Sequence, residues 1–153
     1  MMDLTTAKNI AFKASIGLLT LVIIFHGFII AKIIPYNIAW GGRLENDSQM
    51  YVFESISMLI NGLLITVLLL KAKYINHRFS EKILNGILRF FQVLFILNTI
   101  GNLLAKTSFE KYFALLTAIL AIFIWIILKE NTRNNIIQYF LIKHRSAHQK
   151  SQH

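Results

Sequence analysis

The sequence predicts an all-α membrane protein: a bundle of four spanning helices with both termini in the cytoplasm. Three observations carry that expectation. Four apolar runs, at about 14–34, 50–70, 83–105 and 112–128, approach the roughly 20 residues a helix needs to cross a ~30 Å hydrocarbon core. The chain is 56% hydrophobic with mean hydropathy +0.57, more apolar than the roughly 45–50% of an ordinary soluble domain. The basic residues, finally, gather asymmetrically at the ends of the apolar runs. The amino terminus, the second connection and the tail hold Lys8, Lys13, Lys71, Lys73, Arg78, Lys82, Lys129, Arg133, Lys143, Arg145 and Lys150. The first and third connections hold only Lys32, Arg43, Lys106 and Lys111. A positive-inside bias of this kind puts the first group in the cytoplasm and turns the 35–48 loop outward.

The same charge pattern argues against nucleic acid as a partner. A net charge of +9 suits a polyanion, but here it follows the helix ends, where anionic headgroups meet it. The absence of cysteine excludes disulfides, thiolate metal sites and cysteine nucleophiles.

The first run has the basic start of a signal peptide. Its core is longer than the usual ~7–15 residues and no small-residue cleavage site follows, so a retained helix is expected. Lys32 lies near its end and can snorkel to the interface. Pro35, the only proline, lacks an N–H and is expected to stop the helix. The following loop is long and carries Trp40, Gly41, Gly42 and Arg43; a tryptophan beside a glycine pair suits an ordered loop at headgroup level. Asp47 or Ser48 is a candidate N-cap for the second helix, and Ser80 with Glu81 for the third. Beyond Lys129 a basic tail, 131–153, contains an apolar patch at 135–142 that is too short to span and suits an interfacial helix.

Chemistry is expected in one layer of the outer half. Counting at 1.5 Å per residue puts Glu54 about 9 Å, Asn98 about 10 Å and His26 about 13 Å below their outer helix ends. Glu54 and Asn61 are seven apart and share a face with Ser57 between them; Asn98, Asn102 and Lys106 form an i, i+4, i+8 row. A carboxylate within a span needs a partner or a wet cavity and is a functional-site hypothesis by default. Its candidate partners are Arg43, Lys32, Lys106 and His26. The asparagines have a plainer reading as hydrogen-bonding glue between helices, each bond contributing about 1 kcal/mol. Arg89 lies near the cytoplasmic end and can snorkel there. His144, His148 and His153 have no carboxylate or thiolate beside them to complete a metal site. No nucleotide loop can be named and no cofactor is expected; an enzyme acting on a lipid stays open, but no nucleophile–base pair can be named for it.

The segments Ile34-Pro35-Tyr36, Trp40-Gly41-Gly42-Arg43-Leu44, Phe53-Glu54, Leu97 to Leu103, and Lys106 with Phe109-Glu110-Lys111 resemble a family of small, uncharacterised four-span bacterial membrane proteins. The resemblance covers the membrane part and not the tail; it implies the topology and lends no catalytic residue. Small multidrug-resistance transporters are similar in size, but their key glutamate lies in the first span, where this chain has His26. The expected function is therefore that of a bacterial inner-membrane protein binding a small amphiphile or lipid in an outward-facing pocket. Glu54, Asn61, Asn98, Asn102 and His26 would line it, Arg43 and Lys106 would form its rim, and Trp40 would belong to its lid. Two alternatives stand beside this. One is a scaffold or regulatory subunit that docks a partner through the 35–48 loop; the other is a proton-coupled transport subunit using Glu54. A homodimer or a partner membrane protein is compatible with each.

Overall fold

In hydrocarbon every backbone N–H and C=O must be satisfied within the protein, and long helices do this without help from neighbours. The computed structural model describes residues 3–38, 40, 44–104 and 108–129. Among them are four α-helices, α1 (Leu4–Ile30), α2 (Asp47–Lys71), α3 (Glu81–Leu103) and α4 (Ser108–Leu128), and a 3-10 turn at Tyr36–Ile38 before α2. Their 27, 25, 23 and 21 residues correspond to lengths of about 30–40 Å. All four are long and apolar enough to cross a membrane.

The helices form a ring: α1 lies against α2 and α4, and α3 against α4 and, more lightly, α2. The larger core joins the first two-thirds of α1 (Ala11, Phe12, Leu19) to the last half of α2 (Leu64, Val67, Leu68). It also joins the first part of α3 (Leu84, Leu88, Phe91, Phe95) to the last half of α4 (Leu120, Ile124, Ile127). Successive helices are therefore antiparallel. The inward seams repeat at intervals of four and three, as Leu84, Leu88, Phe91 and Phe95 illustrate on α3, the spacing of near-parallel helix packing. The outside is as apolar as the inside: Leu21, Leu59, Leu97 and Leu115 all face outward, Leu59 with 74% of its surface free. A surface of this kind is compatible with lipid and not with water. The chain is a multi-pass membrane protein. Within it the hydroxyls of Thr20, Thr66 and Thr99 each donate to a carbonyl one turn back, which pairs these donors within their own helices.

Helix ends differ from the apolar runs in instructive ways. α1 stops at Ile30, four residues short of the run's end at 34. Lys32 turns left-handed (φ 58), and the N–H groups of Lys32 and Ile33 close onto Ile29 and Phe28. This is a Schellman stop, reached before Pro35 can act. α2 ends the same way: Lys73 has φ 60, and Lys73 and Tyr74 donate to Leu70 and Leu69. A lysine in a position that glycine normally fills costs about 1–2 kcal/mol. Asn46, rather than Asp47 or Ser48, caps α2, accepting from the Gln49 N–H at 2.9 Å. Ser80 caps α3, with Glu81 in its first turn. Arg43, Lys106 and the tail segment 135–142 lie outside the described residues.

Candidate functional site

A second, smaller core closes the opposite end of the bundle. Ile29 of α1, Leu44 of the loop and Met50 of α2 are buried together, with Phe25, Ile34 and Tyr36 around them. Leu44 packing on Met50 fixes the chain's entry to α2, much as a hydrophobic staple does. Gln49 reinforces the entry by accepting from the Glu45 N–H at 3.0 Å. Lys32 and Asp47 pair across the ends of the loop, and the Lys32 ammonium lies 5.8 Å over the Tyr51 ring. The neighbouring Asp47 carboxylate holds the Lys32 pKa above the usual lysine value. These contacts bring the two ends of the loop together over the mouth between α1 and α2.

Beneath that mouth lies Glu54, with no exposed surface. The α2 seam that buries Met50, Leu64 and Leu68 carries Glu54 one turn after Met50, so packing turns the carboxylate inward. A buried charge or acid must be paired, and both oxygens are. Oε2 meets Nδ1 of His26 on α1. Oε1 accepts the indole N–H of Trp40 at 2.8 Å. Trp40 adopts a left-handed backbone (φ 55), an arrangement that persists only where the surroundings enforce it. Here the enforcing contacts are the Glu54 bond and the Phe53 ring, whose centroid is 5.1 Å away. The indole is otherwise 40% exposed. His26 is fixed further by Phe25, whose ring meets the imidazole edge-on at 6.0 Å and the α4 ring of Phe113 at 5.3 Å. Its second nitrogen, Nε2, has no hydrogen-bond partner among the described residues, and 14% of the side chain remains open. The centre thus joins one carboxylate, one imidazole and one partly exposed tryptophan.

Of the residues singled out from sequence, the structure brings His26, Glu54 and Trp40 into direct contact. The layer is shallower on α1 than the count to Pro35 implied, because α1 ends at Ile30 and His26 is four residues from that end. Asn61 lies two turns deeper than Glu54, half-buried, and its amide donates to the Ser57 carbonyl of its own helix at 2.7 Å. Asn98 is exposed and Asn102 half-buried on α3; neither joins the Glu54 centre. Lys32 bonds Asp47 instead of Glu54. A polar link between α3 and α4 is one that sequence reasoning missed: Thr99 and Thr117 share a hydrogen bond at 2.8 Å. Thr117 stands alone in an apolar run, and threonine there had only its polarity to signal a partner.

Among the described residues no three His, Asp or Glu side chains converge as a metal site would require. Comparison with known proteins finds no matching family model, no similar curated protein and no similar solved structure.

Proposed function

We propose that this protein binds a small amphiphile at the His26–Glu54–Trp40 centre. The ligand's amine or hydroxyl would take the place of the Trp40 indole on Glu54 Oε1. The observation that carries this reading is a fully buried acid, held by a histidine of another helix and by a strained, half-open tryptophan of the covering loop. A purely structural acid would gain more from a sealed partner than from one in a left-handed turn on the surface. The graded burial of α2 and α3 supports it as well. The core ends at Leu64 on one and Phe95 on the other; toward the loop these helices carry Asn61, Asn98 and Asn102 at half-buried or exposed positions. That polar, loosely covered wall suits the neck of an amphiphile whose tail runs along the apolar exterior. Arg43 and Lys106 would add charge at the rim. Both termini in the cytoplasm, a bacterial inner membrane and kinship with the small four-span bacterial proteins complete the reading, supported by the charge asymmetry and the helix count.

The test is native mass spectrometry with lipid analysis on gently extracted protein, wild type against Glu54→Leu. A specific co-purifying amphiphile that is lost or strongly reduced in the variant is the expected result. No bound species in either protein would refute the pocket and favour a docking subunit. One observation favours a second reading. The contact between His26 and Glu54, two titratable side chains on different helices, suits a proton-coupled transport subunit, in which Glu54→Gln abolishes flux while the fold survives.

A further inference from the structure

We propose a second binding site at the far end of the bundle, for the phosphate-bearing headgroup of an anionic phospholipid. A cleft of about 340 Å³ opens there between the first turns of α1 and the end of α2. Three lysines line it: Lys8 from α1, Lys71 from the last turn of α2, and Lys73 just after it. Thr5, Asn9 and Tyr74 add hydroxyl and amide groups, and the buried ring of Phe12 closes its floor. Glu81 pairs with Lys71, and Asp3, the α1 N-cap residue, makes no side-chain cap bond and is exposed.

Lys73 reaches the cleft from the left-handed position that ends α2. Glycine would sit there without strain, so the chain keeps a lysine against the local backbone preference. The lipid, rather than free phosphate, follows from what borders the cleft. Ile10 and Ile75, next in sequence to the lining residues Asn9 and Tyr74, expose about half their surfaces, and both helices are apolar enough to cross a membrane. A headgroup in the cleft would therefore leave its acyl chains against apolar surface. Basic pockets between spanning helices are suited to such headgroups.

The experiment uses the full-length protein in mild detergent, titrated with phosphatidylglycerol or phosphatidylcholine of matched chains and read by native mass spectrometry. Wild type should favour phosphatidylglycerol by about tenfold or more, near-surface lysines acting together. Lys73→Gly removes an ammonium while relaxing the backbone, so its melting temperature should hold or rise. Combined with Lys8→Gln it should bring the preference to within about twofold of unity, whereas Lys129→Gln, on α4's end, leaves it intact. The proposal is overturned by equal retention of the two lipids, by an undiminished preference in the double variant, or by inorganic phosphate binding where lipid does not.

Discussion

Replacing Glu54 by leucine and by glutamine separates a packed side chain from a hydrogen-bonding one. Leucine fills the volume but leaves two buried or half-buried groups, the Trp40 indole N–H and His26 Nδ1, without their acceptor. Hydrogen bonds to charged groups are worth about 1.5–3 kcal/mol in soluble proteins. In membranes the values fall toward about 1–2 kcal/mol, because the unfolded chain also finds partners. Two such bonds, less the apolar contact that leucine gains, give a loss of about 2–3 kcal/mol, or about 30- to 150-fold in the closed-loop population. Glutamine can keep both contacts: its carbonyl accepts from the indole, and its amide donates to His26 Nδ1 in the tautomer that carries its proton on Nε2. Its loss should stay below about 1 kcal/mol. Hydrogen exchange of the 36–50 backbone, with unfolding in mixed micelles, reads both effects. Leucine should speed loop exchange strongly and glutamine only slightly. Indistinguishable wild-type and leucine loops would refute the clamp; glutamine as damaging as leucine would refute the hydrogen-bonding account of it.

Other consequences can be checked in the same micelles. Trp40→Phe keeps a ring against Phe53 but strands Glu54 Oε1, so the loop should loosen by about 1–2 kcal/mol without a change in the helix bundle's circular dichroism. Leu88→Ala, at a site with no exposed surface, should cost about 2–3 kcal/mol in an unfolding titration because the cavity forfeits packing on both sides. Thr117→Val should cost only about 1 kcal/mol, since Thr99 keeps its bond to the Phe95 carbonyl. Asn98→Leu should leave stability and loop exchange as they are; a loss of several kcal/mol would show that Asn98 has a partner within the bundle.

The four helices were legible because each apolar run is as long as a bilayer is thick, and nothing in tertiary context competes with that. Glu54 was legible as the centre of a site because an acid inside such a run must be accommodated. Its partners were harder to read. His26 stood among four candidates, and Trp40 looked like a headgroup-belt residue; only the folded loop shows that its N–H points down to the acid. The end of α1 was hidden because a lysine occupies the left-handed position where glycine ordinarily signals a stop. Asn98 shows a different kind of gap. Depth follows from counting residues along a helix, but azimuth depends on how the helices rotate against one another. The α3 seam continues from Phe95 toward Thr99 and its partner Thr117, which leaves Asn98 facing outward.

The central claim is that Trp40 occupies the position on Glu54 that a ligand headgroup takes. The most direct measurement is the indole proton–nitrogen resonance of Trp40, recorded in a Trp125→Phe background so that a single tryptophan reports. The account predicts one sharp, exchange-protected resonance that moves toward the free-indole position in Glu54→Leu. The same movement should follow titration of wild type with a total lipid extract of the expression host. A resonance unchanged by both the substitution and the extract would contradict it.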